Sequence, residues 1–171
     1  MLRWGLVPSW AADMKIGHKM INARSETVAS RVAFRFAFQR RRCLTCADGF
    51  YEWRKLPSGR RQPYRVVLKD ERPFAFAGLW ETWRSLEGEK VESCTIIVTD
   101  ANDLLRPIHD RMPVILGPEN FDAWLGPTAP SEEIQKLLRP FPDELLMLYP
   151  VSERVNRPDN DDPECIAPLV D

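Results

Sequence analysis

Short apolar runs, some continuous and some alternating with polar residues, recur along the chain and predict β-strands. The clearest runs cover residues 43–53, 64–68, 74–80, 94–99 and 145–151. A short strand end is also expected at Trp4, and Asp48-Gly49 is expected to break the first long run with a turn or bulge. Most loops between the runs are of hairpin length, so antiparallel pairing is the simplest expectation.

Helical spacing is confined to a few short segments. Phe34, Ala37 and Phe38 share one face at i, i+3 and i+4, which predicts a helix that ends in a run of arginines. Two further short helices are expected over residues 118–125 and 131–138. The sequence therefore predicts the α+β class, with a curved, mainly antiparallel, barrel-like sheet and a few short helices.

Length and composition bound the type of protein. The 171 residues, 44% of them hydrophobic and 29% charged, suit a single soluble domain over residues 1–171 with a loosely ordered tail from residue 157. Four cysteines are too few for a disulfide scaffold, and no signal peptide opens the chain. The apolar runs are too short to span a bilayer. We expect a cytoplasmic monomer without a membrane partner.

The net charge of the chain conceals a strong asymmetry. The sum of 24 Lys and Arg against 25 Asp and Glu is only −1, which argues against a basic nucleic-acid binder. Residues 1–65, however, contain 14 basic and 4 acidic residues, a net charge of +10, and residues 66–171 contain 10 and 21, a net charge of −11. The first part of the chain is therefore a candidate phosphate-attracting region.

The chain contains no Walker phosphate loop, dinucleotide-binding glycine motif, zinc-protease helix motif or hydrolase nucleophile elbow. Cys43 and Cys46 have the spacing of half a zinc site, but no second cysteine pair follows. Residues three apart in a strand point to opposite faces, so the two thiols would converge only if the backbone bends. We expect no metal and no cofactor.

The loop around His109 is the first candidate for chemistry. A short helix is predicted over residues 100–105, with the aspartate at its start as N-cap and Pro107 ending it. His109 then lies in the loop that enters the next strand. A single histidine is more often structural, but Asp110 and Arg111 follow it directly, and this clustering favours a site at the mouth of the strand.

Two further polar groups admit both a structural and a functional interpretation. Glu52 lies in an aromatic strand; on the outer face it would be solvated, whereas on the inner face burial would raise its pKa toward the range of an acid/base catalyst. Asn22, Arg24 and Glu26 would share one side of an extended segment. They form either a polar strand end or the lining of a site in which Arg24 binds a phosphate.

Four motifs follow one another along the chain: residues 4–10 (WGLVPSW), 22–27 (NARSET), 47–53 (ADGFYEW) and 108–113 (IHDRMP). Together, in this order, they resemble the SRAP family of SOS-response-associated peptidases, which shield abasic sites in single-stranded DNA. Residues 151–156 (VSERVN) resemble the closing motif of the family. The resemblance covers almost the whole chain and implies a curved α+β fold with a basic groove for single-stranded DNA.

The resemblance also implies roles for individual residues. Asn22 matches the asparagine that orients the nucleophile, Glu52 the general acid/base, and His109 the histidine that assists ring opening and proton transfer. The residues that match DNA-contacting positions are Trp10, Arg24, Arg31 and Arg111. The implied partner is single-stranded DNA containing an abasic site, in the cytoplasm and near the nucleoid in a bacterium.

The family's nucleophile is an N-terminal cysteine whose amine and thiol capture the abasic aldehyde as a thiazolidine. This chain begins Met1-Leu2-Arg3, and none of its four internal cysteines has the free α-amine that this ring requires. We expect a fragment or a misassigned start, with a natural truncation as the alternative. The full-length protein is then expected to crosslink abasic DNA, and this chain alone is not. The rival functions are a non-catalytic single-stranded-DNA-binding module and a peptidase that processes its own N-terminus.

Overall fold

A computed structural model describes residues 2–127 and 131–169 of the chain. Its strands, in chain order, are β1 (Arg3–Trp4), β2 (Asn22–Arg24), β3 (Arg42–Ala47), β4 (Phe50–Lys55), β5 (Arg61–Leu68), β6 (Phe74–Arg84), β7 (Lys90–Asp100), β8 (Arg111–Pro113), β9 (Ile115–Leu116) and β10 (Leu146–Pro150). The α-helices are α1 (Arg35–Arg40), α2 (Phe121–Leu125) and α3 (Ser131–Lys136), and 3-10 turns cover Met14–Lys19, Pro118–Asn120, Asp143–Leu145, Glu153–Asn156 and Pro163–Cys165.

The chain forms two compact units, and each is assembled from three separate segments. Unit 1 contains Met1–Cys46, Ala75–Asp100 and Pro113–Pro140, and unit 2 contains Ala47–Phe74, Ala101–Met112 and Phe141–Asp171. The mixed α+β class with few short helices is confirmed. The expectation of a single domain stays a prediction.

Unit 1 is organised on one sheet in which β7 and β6 are central neighbours. The order is β1-β7-β6-β3, with β2 also paired to β7 and β9 to β6. The β6–β7 and β6–β9 pairs are antiparallel as predicted, whereas β1 and β2 run parallel to β7. The long connection between β1 and β2 lets the chain return in the same direction along one edge of β7.

The predicted face of α1 supplies the core of unit 1. Phe34, Ala37 and Phe38 are all buried, and the ring of Phe38 lies edge-on to that of Trp124 with the centroids 6.2 Å apart. The helices predicted over 118–125 and 131–138 are also present, with slightly different ends. Burial of this apolar stripe, rather than the length of α1, stabilises so short a helix.

Unit 2 has an antiparallel sheet in the order β10-β5-β4. The predicted break at Asp48-Gly49 falls where β3 ends and β4 begins. A side chain at Gly49 would meet Arg65 Nε and the Val66 carbonyl oxygen, both 3.0 Å from its Cβ. Glycine at this position therefore allows β5 to pass close to the turn.

The helix predicted over residues 100–105 is wrong. β7 continues through Asp100, and consecutive turns follow it. Asn102, not Asp100, acts as the cap, because its Oδ1 accepts a hydrogen bond from the Leu105 amide at 3.0 Å. Pro107 prevents a regular helix from continuing beyond these turns.

The predicted barrel is not closed in the described part of the chain. Its strands form two open sheets, because the first and last strands in the order of each sheet are different strands. The tail, expected to be loosely ordered, makes specific contacts as far as it is described: Val151 pairs with Pro168, Cys165 is buried, and Arg154 forms an ion pair with Asp162 at 2.5 Å. No helix among residues 2–127 and 131–169 has the length and hydrophobicity needed to cross a bilayer.

Candidate functional site

Strand β2 presents two of the predicted site residues on one side. Asn22 and Arg24 are exposed, and Ala23 between them is buried. The strand is held parallel to β7, with Asn22 opposite Ile96 and Arg24 opposite Val98. Asn22 and Arg24 therefore share one side of the strand as predicted, whereas Glu26, predicted to lie with them, falls in the turns that follow β2.

Arg24 and Arg31 line one groove in unit 1, together with Thr27 and Ser30. The groove has a volume of about 570 Å³. It forms because turns follow β2: the Val28 amide donates to the Arg24 carbonyl oxygen, and the Arg31 amide donates to that of Thr27, both at 2.9 Å. Two guanidinium groups and the Thr27 hydroxyl are a donor set suited to a phosphate.

The sequence analysis missed Thr27 and Ser30 as lining residues. The Ser30 hydroxyl donates to the Thr27 carbonyl oxygen at 3.2 Å, which ties the turn together. The spacing of Arg24, Thr27 and Arg31 at three and four residues is a one-turn helical pattern, and this signal could have identified Thr27.

Trp10 lies elsewhere in unit 1 and is not one of the residues that line this groove. It sits in a tight turn in which the Ala11 amide donates to the Pro8 carbonyl oxygen at 2.9 Å. Its side chain is 58% exposed, which is unusual for so large an apolar residue. The exposed ring suits the base-stacking role that the sequence motif implies.

Glu52 is partly buried on β4 of unit 2, opposite Tyr64 of β5. Burial raises the pKa of its carboxyl above the ordinary value, and the negative charge of Asp110 adds to this effect. The charge of His109 and the backbone amide of Trp53 act in the opposite direction but do not cancel it. Phe50 to Trp53 are all partly buried, so β4 shows no clear inner and outer face, but the burial of Glu52 leaves its carboxyl more ready to take up a proton than an ordinary glutamate.

His109 lies close enough to Glu52 for their charges to interact. Its Nδ1 accepts a hydrogen bond from the Arg111 amide at 3.0 Å and lies 3.4 Å from an Asp110 carboxylate oxygen. Nδ1 also lies 3.1 Å from the Arg111 carbonyl oxygen. The loop thus holds the imidazole ring in place through contacts at Nδ1.

Arg111 begins β8 and is partly buried. It belongs to unit 2 with Glu52 and His109, whereas Trp10, Asn22, Arg24 and Arg31 belong to unit 1. Each unit therefore contains at least one arginine predicted to contact DNA and at least one of the residues predicted to take part in the chemistry.

Asn156 is a further residue that the sequence analysis did not assign to the site. Its Oδ1 accepts a hydrogen bond from the Trp53 indole Nε1 at 2.7 Å. Trp53 is next to Glu52 on β4, and its ring centroid lies 6.4 Å from that of Tyr51. This hydrogen bond therefore links two of the sequence motifs, residues 151–156 and residues 47–53.

The thiols of Cys43 and Cys46 differ in environment. Cys46 is exposed, and burial raises the pKa of the Cys43 thiol to about 12. Their different exposure along β3 is consistent with the opposite orientations expected in a strand. Among residues 2–127 and 131–169, no cluster of three or more His, Cys, Asp or Glu residues is placed to hold a metal ion.

The raised pKa of Glu52 predicts a pH-dependent cost in stability. Between the unfolded value near 4.5 and the higher folded value, the folded state binds more protons, so the free energy of unfolding falls as pH rises through this window. Glu52→Gln should therefore be more stable than the wild type at neutral pH and equally stable at about pH 4 or below. Urea unfolding at both pH values measures the difference.

Glu87→Gln is the matched control, because Glu87 is an exposed carboxylate in a turn. It should leave stability unchanged at both pH values. A Glu52→Gln protein that is less stable than the wild type at neutral pH would show that the carboxylate is held by favourable contacts and not penalised by burial.

Residues 1–158 match the family profile described as "SOS response associated peptidase (SRAP)". The chain is 48% identical over 166 residues to the abasic site processing protein YoqW of Bacillus subtilis, covering 96% of this chain and 74% of the relative. It is 36% identical to the abasic site processing protein HMCES of Gallus gallus, covering 98% of this chain and 56% of the relative.

A crystal structure of a protein from Bacteroides thetaiotaomicron has the same fold. It superposes with a TM-score of 0.92 at 32% identity, covering 99% of this chain and 76% of that chain. A second crystal structure, from Bordetella bronchiseptica, superposes with a TM-score of 0.77 at 33% identity, covering 88% of this chain and 76% of that chain.

Proposed function

The chain belongs to the SOS response associated peptidase (SRAP) family, and we propose that it binds single-stranded DNA at abasic sites and promotes opening of the abasic sugar. The observation that carries this proposal is the closeness of Glu52, whose carboxyl has a raised pKa, to His109, whose imidazole ring is held at Nδ1 by its loop. The names of the relatives support the choice of abasic DNA as the substrate class.

Ring opening of an abasic sugar moves one proton. The hydroxyl on C1′ must lose its proton, the bond from C1′ to the ring oxygen breaks, and the ring oxygen gains a proton, which leaves an aldehyde. A Glu52 carboxylate is suited to accept the first proton, and His109 Nε2–H is suited to donate the second. Asn22, exposed on β2, is proposed to orient the nucleophile that captures the aldehyde.

The capture step of the family uses an N-terminal cysteine. Its amine would attack the aldehyde and release water to give a protonated Schiff base. Its thiolate would then add to the iminium carbon, and the nitrogen would keep its proton as the thiazolidine closes. We assign Glu52, His109 and Asn22 to the steps before and around this capture. Arg24, Arg31, Arg111 and Trp10 are assigned to DNA binding.

Trapping of the open aldehyde tests the proposal with the chain as it stands. Methoxyamine condenses with the aldehyde form of an abasic site to give an oxime and water. The protein should accelerate this reaction on a single-stranded oligonucleotide with one abasic site, at methoxyamine concentrations at which ring opening limits the rate. Binding of that oligonucleotide without acceleration would instead support the rival function, a non-catalytic single-stranded-DNA-binding module.

The rival function has an observation in its favour, because the groove of Arg24 and Arg31 needs no chemistry to bind a strand. A peptidase that processes its own N-terminus has less support, and one that acts on other proteins has less still, since the described site residues do not form a serine or cysteine triad. The oxime assay separates the first two functions, and mass spectrometry of the N-terminus of the purified protein tests the third.

The two groove arginines predict a change in the salt dependence of binding. Replacing both Arg24 and Arg31 by alanine should weaken binding to single-stranded DNA by about tenfold or more and reduce the salt slope by about 1.4, since each contact to a single strand contributes about 0.7. Fluorescence anisotropy over a range of KCl concentrations measures both quantities. Arg84→Ala, at an exposed arginine at the end of β6, is the control and should leave the slope unchanged.

A further inference from the structure

Residues 27–47 of unit 1 form an unusually basic segment with exposed apolar side chains. The segment contains five arginines and no acidic residue. Its apolar surface comes from Val32 and Phe36, which are 60% and 48% exposed, although the neighbouring Phe34 and Phe38 are buried in the core. Exposure of Phe36 is therefore not a consequence of a poorly packed helix.

Phe36 is held in a layered arrangement of side chains. The Arg41 guanidinium carbon lies over the Phe36 ring, 5.1 Å from its centroid, and 5.3 Å from the centroid of the Trp80 ring. Arg41 is fixed in turn by an ion pair with Glu81, whose side chain is only 5% exposed. An aromatic side chain fixed on one side by a guanidinium and open to solvent elsewhere costs little entropy when it binds a ligand.

The five arginines of this segment differ in their contacts and in their exposure. Arg42 donates to backbone carbonyls of unit 1, and Arg41 pairs with Glu81. Arg31, Arg35 and Arg40 are exposed beside Phe36 and Val32. This surface therefore combines three exposed positive charges with one fixed aromatic ring.

We infer that helix α1 extends the DNA-binding surface, with an unpaired base stacking on Phe36 while Arg35 and Arg40 contact the flanking phosphates. The inference rests on the proposed function. Repeated phosphates match the exposed arginines, and a planar base matches the fixed ring more closely than a flexible acidic peptide does. Arg31 provides continuity, because it lines the groove with Arg24 and is also the first arginine of this segment.

Binding of oligothymidylates of about 4 and about 12 nucleotides tests the inference. For the longer strand, Phe36→Ala and Phe36→Leu should each weaken binding by about 5- to 100-fold, the range measured for loss of one base-aromatic stack. Phe36→Tyr, which keeps an aromatic ring, should bind with the same affinity as the wild type. For the short strand, which the groove alone can hold, Phe36→Ala and Phe36→Leu should have a smaller effect.

Val32→Ala is the matched control, because it removes exposed apolar surface from the same segment without removing a ring. Unchanged binding by Phe36→Ala and Phe36→Leu, with normal binding by the wild type, would overturn the inference and leave the proposed function standing. Failure of the wild type to bind either strand would instead overturn the proposed function, and the inference with it.

An acidic protein is the other class of partner that charge alone would allow. Competition by a glutamate-rich peptide of about 20 residues tests for it. The inference expects this peptide to compete with the 12-nucleotide strand equally well in the wild type and in Phe36→Leu. Competition that depends on Phe36, combined with DNA affinity that does not, would assign the surface to an acidic protein and overturn the inference.

Discussion

Replacement of Glu52 by glutamine is expected to slow oxime formation at an abasic site by about 100-fold, the lower end of the usual contribution of general acid/base catalysis. Glutamine keeps the shape of the side chain and an oxygen that can accept from the Trp53 amide, but it cannot take up a proton. Binding of the same oligonucleotide should change little. The loss would therefore appear in the rate of trapping and not in the affinity.

The pH dependence of trapping provides a second readout. A carboxylate acts as a base only when ionised, and burial raises the pKa of Glu52 above its ordinary value of 4.5. The wild-type rate should therefore fall as the pH is lowered through this raised pKa, and the residual rate of Glu52→Gln should lack this step. Glu87→Gln should behave as the wild type. Equal rates for Glu52→Gln and the wild type would remove Glu52 from the mechanism.

The same substitution is expected to stabilise the protein and inactivate it. Burying an ionisable carboxyl next to Asp110 disfavours the charged form that acts as a base. A purely structural glutamate would not show this opposition, because its removal would lower stability or leave it unchanged. Finding both effects in one variant would identify a site at which stability is sacrificed for proton transfer.

Local pattern predicted the parts of the site that depend on periodicity. Alternation placed Asn22 and Arg24 on one side of β2, and the i, i+3, i+4 spacing identified Phe34, Ala37 and Phe38 as the buried face of α1. These features could be predicted because each depends on the direction of neighbouring side chains and on nothing more distant.

Long-range contacts decided the features that the sequence left open or predicted wrongly. Glu52 has aromatic neighbours on both sides in sequence, so only the placement of His109 and Asp110 settles its environment. Asp100 is a suitable N-cap residue, but pairing within β7 extends the strand through it. Asn156 reaches Trp53 across 103 positions of sequence, a separation that no local pattern encodes.

The run Arg40-Arg41-Arg42 shows how charge alone misleads. In sequence, its three members are equivalent candidates for phosphate contacts. In the structure, only Arg40 is exposed, whereas Arg41 pairs with Glu81 and Arg42 donates to backbone carbonyls. The number of arginines in a basic segment therefore overestimates the number of phosphates that it can bind.

Replacement of Arg42 by alanine is expected to lower the free energy of unfolding by about 3 kcal/mol, because several partly buried carbonyl oxygens lose a charged donor. Arg42 Nη1 donates to the carbonyls of Phe38 and Gln39 at 2.7 and 3.0 Å, in the last turn of α1. Its Nε donates to the Trp124 carbonyl at 2.5 Å, and its Nη2 donates to that of Gly126, where α2 ends.

One guanidinium thus satisfies the ends of two helices, where a positive charge also interacts favourably with the helix dipoles. A loss of 3 kcal/mol should lower the melting temperature by about 6 to 12 °C in a domain of this size, measured by circular dichroism. Arg42→Lys should recover only part of the loss, because an ammonium group cannot reproduce the planar set of donors.

Arg40→Ala is the matched control and should show the reverse behaviour. Arg40 is exposed, so its removal should change stability by less than about 0.5 kcal/mol while weakening the binding of single-stranded DNA. Arg42→Ala should retain DNA affinity at temperatures at which it is folded, because its donors face the protein's own carbonyls. Equal stability of the two variants would contradict the structural role of Arg42 and return it to the set of candidate phosphate contacts.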